Sequence, residues 1–568
     1  MGLASSGSNV EQTTSSDQSV YAVKQSLLQS WQVRLLQIWQ RVPQRLLFGA
    51  LLFCAALFLD LRHLGRPSIW FDEAFSVELA SQPLPLLWHI IFGLEPNMEL
   101  YYLFLHFWLT LTGLFVHPIE FVVRFPSAIF AALSTVVVFL LGHRFINISG
   151  GILGAILYLL NDVQLTYAQQ TRAYSLQLLL ICIAWYALFS ACTCTTHPRR
   201  WWSVYALAMV LAIYSHLFSL LILLAQFVFI CGIALIPNDW QRQVRRQLLP
   251  FIISLIAIAL LCIPMFLVSL QGSKTGWLPI PSLSDVAYII QLMSGDNRKY
   301  LLAMALCCLL AVFVVAGSAL TVRMFRRHEE SLESFRLLGM SVHPWLEARQ
   351  YLPICWALLC WFILPFLFSY GVSFTSLRLF ASRYLVVIIP ALCLLVALGV
   401  VSLRWRLIQL VLALVLIALA IPAVPYYYRS AQVEDWNSTS HWLLDRYQKN
   451  DGLVCYDNSL EQGCQVSVEY YLQAYPNGAH FTPDAPGAFS WEKYGPARPA
   501  GPDEAVDPHA LAAYGAKHPR LFFIQGRIRD DAAAARAKAA QQWLDQHYHL
   551  NSSIETRTVT VRLYATGS

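Results

Sequence analysis

The chain has 568 residues, 57% hydrophobic and only 13% charged, against about 25% charged in ordinary soluble proteins. That balance excludes a soluble enzyme and predicts a polytopic helical membrane protein, with long apolar runs recurring from Leu46 to Val424. The net charge of +6 is no nucleic-acid footprint, because the basic residues sit in short clusters between the runs.

Residues 1–20 are rich in Ser, Thr, Gln and Gly and read as a disordered tail within a cytoplasmic segment, 1–44. The first apolar run starts near Leu46, too late for a cleavable signal peptide. Arg34, Arg41 and Arg45 precede it, which puts the N-terminus inside and the loop after Leu59 outside. Further basic clusters mark inner loops: His143-Arg144, Arg199-Arg200, Arg242 with Arg245-Arg246, Arg323 with Arg326-Arg327, and Arg404 with Arg406. Keeping all of them inside allows one crossing between Glu73 and Arg144. Leu100–Val116 and Phe125–Leu141 compete for it. We assign it to the second and expect the first to be an embedded or interfacial helix. The remaining spans are expected at about Gly150–Leu165, Ala173–Ala191, Trp202–Ser215, Leu217–Pro237, Leu248–Leu270, Tyr300–Val322, Tyr351–Tyr370, Tyr384–Val401 and Leu407–Val424. The total is about eleven crossings, or twelve to thirteen if the embedded segment crosses.

The outer face then collects every motif-like polar segment. Trp70-Phe71-Asp72-Glu73-Ala74-Phe75-Ser76 places adjacent carboxylates beside a span, where a charge at a helix centre costs about 2.5–3.5 kcal/mol. A helix N-cap would explain Asp72, though not its place inside an apolar stretch. Neighbouring helical residues do not face one point, so one carboxylate is expected to act while the other pairs or caps. Gln169-Gln170-Thr171-Arg172-Ala173-Tyr174-Ser175 offers either a snorkelling arginine or a guanidinium for a phosphate, with Gln169 and Tyr174 orienting it. Arg124 reads equally as a partner of Asp72 or Glu73 and as plain structural pairing. His216 reads as a structural histidine or a supporting site residue, and no His/Cys/Asp spacing demands a metal. Arg383-Tyr384, Arg378, Lys274, Arg298 and Lys299 add outer charge suited to an anionic headgroup.

Residues 426–568 change character and read as a small α/β domain. Helices are expected at Val433–Gln448 and Ala532–His547, and strands at Gly452–Tyr456, Arg520–Gln525 and Val559–Tyr564. Cys455 and Cys464 flank a short polar loop; an oxidising exterior would permit a disulfide, and the spacing alone leaves its geometry open.

An outer site with a carboxylate and several arginines, open to lipid, suits glycosyl transfer from a polyprenyl-phosphate sugar. The phosphate is already a good leaving group, the acceptor hydroxyl needs one base, and cations stabilise the departing phosphate. A glycosidase would need two carboxylates across the sugar, which adjacent residues do not supply. A transporter of lipid-linked or polysaccharide substrates is the alternative, but no internal repeat is visible. A silent scaffold of an envelope complex is a third reading.

The ordered set of motifs resembles the GT-C superfamily of membrane glycosyltransferases, in the branch of the protein O-mannosyltransferases and the aminoarabinose transferase of lipid A. The segments that carry the resemblance are Trp70-Phe71-Asp72-Glu73-Ala74, Glu95-Pro96-Asn97-Met98-Glu99-Leu100-Tyr101-Tyr102, Arg124-Phe125-Pro126-Ser127, Gln169 through Ser175, and Arg383-Tyr384 with Pro390. Glu99 stands at a position that is usually small or proline, and Gln170 where the family has Glu. The resemblance spans about residues 45–430. It implies a GT-C fold for 45–425, first-loop helices lying along the membrane, and an extracytoplasmic site at the inner membrane. It implies Asp72, supported by Glu73, as catalytic carboxylate, and Arg124, Arg172, Tyr174, Arg383 and Tyr384 around the donor, with Gln169, His216 and Tyr101 supporting. The expected donor is a polyprenyl-phosphate sugar and the acceptor a glycan, lipid or protein. With no second acidic motif, no metal or other cofactor is expected to be required.

Overall fold

The computed structural model describes residues 43–95, 97–116, 119–270, 275, 278–327, 348–457, 463–473, 478–494, 501–528 and 530–566. The expected tail at 1–20 and the Lys274 cation lie outside the described residues. Leu52–Ser568 forms one compact unit, and the packing below is that unit's.

Helix α1 spans Gln44–Leu61. Three helices of the first loop follow: α2 (Phe71–Ser81), α3 (Leu84–Gly93) and α4 (Glu99–Gly113). A spanning helix needs about 20 residues. The 15 residues of α4 fall short, whereas the 26 of α5 (Glu120–Phe145) suffice. Among the described residues between Glu73 and Arg144, α5 is therefore the helix long and apolar enough to cross.

The run read as one span from Gly150 is two helices, α6 (Ile148–Leu159) and α7 (Asp162–Ala168), bent by 64°. Asn161 makes the break: its side chain accepts the Val163 and Gln164 N–H groups at 3.1 and 3.2 Å and starts a new helix. Next come α8 (Tyr174–Thr193), α9 (Pro198–Ser215), α10 (Ser219–Leu235) and α11 (Gln241–Arg246). A second bent pair, α12 (Leu248–Leu261) and α13 (Ile263–Ser269), turns by 53° where Pro264 opens α13. Helices α14 (Leu283–Leu292), α15 (Arg298–Arg327), α16 (Leu352–Val372), the short α17 (Ser382–Leu385), α18 (Ile389–Val401), α19 (Arg406–Ala420) and α20 (Ala423–Ser430) complete the bundle. Among the described residues, seven helices are long and apolar enough to cross a membrane, or up to nine if each bent pair is one span. A count of about eleven thus depends on shorter helices such as α10.

Lipid tails are as apolar as the side chains, so close contact rather than the hydrophobic effect holds spanning helices together. Helices α5 and α6 meet at Gly142 and Gly151, where a Cβ on either would collide with the partner backbone. Every residue of α18 is buried. Beside it Trp185 stacks on Trp361 at 5.1 Å, and the Trp361 indole donates to the Val387 carbonyl at 2.8 Å.

The C-terminal region contains α21 (Trp436–Leu444), β1 (Gly452–Tyr456), α22 (Gly463–Leu472), α23 (Pro508–Gly515), β2 (Arg520–Gly526), α24 (Asp531–His547), β3 (His549–Glu555) and β4 (Val559–Ala565). The sheet order is β1-β2-β4-β3, with β1 parallel to β2 and the other pairs antiparallel. Strand residues alternate between two cores. Val454, Tyr456, Leu521 and Phe523 pack with Ala533, Ala537 and Leu544 of α24, while Leu453, Cys455, Phe522 and Ile524 join the main core. Cys455 and Cys464 are joined in a disulfide.

This region packs on the segment between α1 and α5. Tyr471 donates to Glu120 at 2.8 Å and accepts the Ile69 N–H at 3.0 Å; Asn437 reaches Glu120 at 3.0 Å; Gln473 reaches Glu78 at 2.8 Å. Phe75 meets Trp491 edge-on at 5.1 Å, and the Tyr494 hydroxyl donates to Glu95 at 2.8 Å.

Candidate active site

The two adjacent carboxylates have separate fates. Asp72 and Glu73 both lie in the first turn of α2, about 100° apart around the helix. Glu73 is wholly buried and clamped by Arg124, which donates from Nε at 2.8 Å and from Nη2 at 2.6 Å. The Thr171 backbone N–H adds a third bond to Glu73 at 2.7 Å. The remaining Arg124 donors go to the carbonyls of Leu64, Pro67 and Ser68 at 3.0, 2.8 and 3.1 Å. Arg124 is therefore a buried latch between α5 and the loop before α2, and not one of the cations gathered at Asp72.

The Asp72 side chain retains 18% exposure and faces two arginines. Arg383 Nη1 lies 3.4 Å and Arg172 Nη2 4.0 Å from Asp72 Oδ2. Arg172 is fixed from below: its Nη1 donates to the Asp72 carbonyl at 2.9 Å and to Ser76 Oγ at 3.0 Å. The Tyr102 and Tyr174 hydroxyls also interact with it. Ser76 and Tyr102 were not singled out from the sequence. The signal for Ser76 was its place one turn after Asp72, on the same helix face.

An aromatic wall holds the cations in place. Tyr384 stacks on Phe218 at 4.2 Å and lies under the Arg383 guanidinium at 5.3 Å. His216 packs on Tyr174 at 5.5 Å and on Tyr384 at 5.3 Å, and its Nδ1 accepts the Phe218 N–H at 3.2 Å. Burial, reinforced by Arg172 and Arg383, pushes its pKa down to about 3, so the ring is neutral. Gln169 works elsewhere: its amide donates to the Asp60 and Arg62 carbonyls, both at 2.8 Å, tying the α7–α8 turn to the end of α1. Tyr101 pairs with Ser127 at 3.3 Å. The structure thus assembles Asp72, Arg172, Tyr174, His216, Arg383 and Tyr384, and leaves Glu73, Arg124, Gln169 and Tyr101 in supporting contacts.

Among the described residues no group of three or more His, Cys, Asp or Glu side chains is placed to hold a metal ion.

Fold and motifs together define a polytopic membrane protein with the GT-C glycosyltransferase fold. Residues 87–267 match the family described as dolichyl-phosphate-mannose-protein mannosyltransferase. The structure is similar to ArnT from Cupriavidus metallidurans in the apo state, with a TM-score of 0.54 and 13% identity over 91% of this chain and 97% of that one. The same protein bound to undecaprenyl phosphate aligns with a TM-score of 0.51 and 12% identity over 91% of this chain and 98% of that one. No curated protein matches. The family match contains Arg124, Arg172, Tyr174 and His216; Asp72 and Arg383 are joined to them by the three-dimensional arrangement.

Proposed function

We propose that this chain transfers a sugar from a polyprenyl-phosphate donor to a hydroxyl of a cell-envelope acceptor, which is a glycan, a lipid or a protein. The site and the C-terminal region face the extracytoplasmic side of the inner membrane, and the N-terminus is cytoplasmic. One observation carries the reading. Asp72, partly exposed, faces the guanidinium groups of Arg172 and Arg383, which come from elements 100 and 311 residues away, while its neighbour Glu73 is consumed by Arg124.

In the proposed reaction the acceptor oxygen attacks the anomeric carbon from the face opposite the phosphate. Asp72 takes the hydroxyl proton, and the bond from the anomeric carbon to the phosphate oxygen breaks with its electron pair staying on the phosphate. Arg172 and Arg383 neutralise that charge. A donor phosphate competes with Asp72 for the same guanidinium forks, so donor binding frees the carboxylate to accept a proton. The arginines supply the positive charge, and no metal ion is required in this scheme. The undecaprenyl phosphate named with ArnT supports the choice of donor class. The Cys455–Cys464 disulfide supports an oxidising location for the C-terminal region.

Release of free polyprenyl phosphate from a panel of polyprenyl-phosphate sugars, in the presence of envelope acceptor extract, tests this reading. Wild-type protein should release it, and EDTA should leave the rate unchanged. A folded protein that neither binds nor consumes any such donor would overturn it.

A further inference from the structure

Helix α2 begins without a cap of its own. Trp70 precedes it in extended backbone and makes no side-chain cap hydrogen bond. The two acidic residues of the first turn cannot serve, because Glu73 is bound to Arg124 and Asp72 to Arg172 and Arg383. The first N–H of the helix, that of Phe71, is instead taken by a residue far along the chain: Glu434 Oε2 accepts it at 3.0 Å. The same oxygen accepts the Trp436 indole N–H at 2.7 Å, and Arg527 Nε holds Glu434 Oε1 at 3.2 Å.

Arg527 grips the same residue a second way. Its guanidinium lies over the Phe71 ring at 3.7 Å, and its Nη1 reaches Asp457 at 3.9 Å. Arg527 adopts a left-handed φ of 57°, which a non-glycine residue holds only under surrounding constraint. A carboxylate at a helix N-terminus meets both unsatisfied N–H groups and the positive end of the helix dipole. Phe71, the residue immediately before Asp72, is thus held by its backbone through Glu434 and by its ring through Arg527.

We propose that Glu434 and Arg527 are positioning residues: the C-terminal region caps α2 in trans and thereby sets where Asp72 points. The role in turnover rests on the reading of Asp72 given above; the capping itself does not. A displacement of about 1 Å in a reacting group can cost about 100-fold in rate.

Two measurements on the full-length protein decide the matter. Hydrogen exchange read by mass spectrometry on Glu434→Ala should show faster exchange of the amides at the start of α2, while β2 and α18 keep wild-type protection. Unchanged protection at Phe71–Phe75 overturns the cap. In transfer assays Glu434→Ala should lower kcat by about 10- to 100-fold with the donor KM within about twofold. Glu434→Gln, which still presents an oxygen to the Phe71 N–H, should recover most of kcat, as should Arg527→Lys relative to Arg527→Ala. Equal loss in Glu434→Ala and Glu434→Gln, or an unchanged kcat in Glu434→Ala, overturns the positioning role. Should Glu434→Ala fail to fold, the Glu434→Gln and Arg527→Lys pair carries the comparison. If wild-type protein consumes no polyprenyl-phosphate sugar, the proposed reaction falls, while hydrogen exchange still decides the cap.

Discussion

Replacing Glu73 by Gln separates the two adjacent carboxylates. Glu73 has no exposed side-chain surface and Arg124 has 2%. The new amide oxygen at the Oε1 position can still accept the Thr171 N–H and Arg124 Nε, but the amide NH2 then faces Arg124 Nη2, and the guanidinium keeps its backbone carbonyls without a counter-charge. Removing one partner of a buried ion pair costs about 3–5 kcal/mol. The retained carbonyls solvate part of the stranded charge, so the loss should lie near the bottom of that range, about 3 kcal/mol. Asp72→Asn should behave in the opposite way. Its carboxylate is partly exposed and its ion pairs are long, at 3.4 and 4.0 Å, so stability should change by less than about 1 kcal/mol. Unfolding of both variants in one detergent, beside transfer assays below the transition, gives the comparison. Glu73→Gln should be destabilised yet keep turnover within about tenfold of wild type. A Glu73→Gln protein as stable as wild type but inactive would refute the reasoning and make Glu73 the reacting group.

Arg383→Lys keeps the charge but loses the planar fork, and loss of a charge-assisted bond costs about 1.5–3 kcal/mol. Donor KM should therefore rise by about tenfold or more with the unfolding temperature unchanged; an unaltered KM would remove Arg383 from the phosphate site. Stability should also fall with rising pH at the junction of α2 and α22. Burial pushes Glu78 up to about 8, with Glu469 opposite it, and burial pushes Glu469 up to about 7. Both folded values lie above the ordinary 4.5, so this contribution is complete below that pH and is lost as pH rises through 7 and 8. Unfolding measured from about pH 5 to pH 9 should show the decline, and Glu78→Gln should flatten it.

The candidate site was legible in the sequence because charge is costly beside a membrane, and so polar motifs between apolar runs stand out. Asp72, Arg172 and Arg383 could be named on that ground before their convergence was visible. Their partners could not: Glu73 and Arg124 are 51 residues apart, and Glu434 reaches Phe71 across 363. No local pattern encodes such pairings. The break at Asn161 did carry a local sign, an Asn-Asp pair inside an apolar run, which hydropathy alone overrides. Strands β1, β2 and β4 were readable from their apolar runs. Strand β3, His549–Glu555, was missed because it alternates exposed and half-buried residues and contributes Leu and Ile among polar neighbours. Its strand state comes from pairing with β4. The helix expected over Val433–Gln448 is shorter, Trp436–Leu444, because Asp435 caps it by accepting the Ser438 N–H at 3.3 Å.

The central claim is that Asp72 removes the proton of the acceptor hydroxyl. Single-turnover transfer from a polyprenyl-phosphate sugar, compared between wild type and Asp72→Asn at equal donor occupancy, tests it most directly. General-base catalysis is worth about 10²–10⁴-fold, so Asp72→Asn should lose at least about 100-fold in the chemical step while unfolding at the wild-type temperature. Transfer at the wild-type rate by Asp72→Asn would contradict the account.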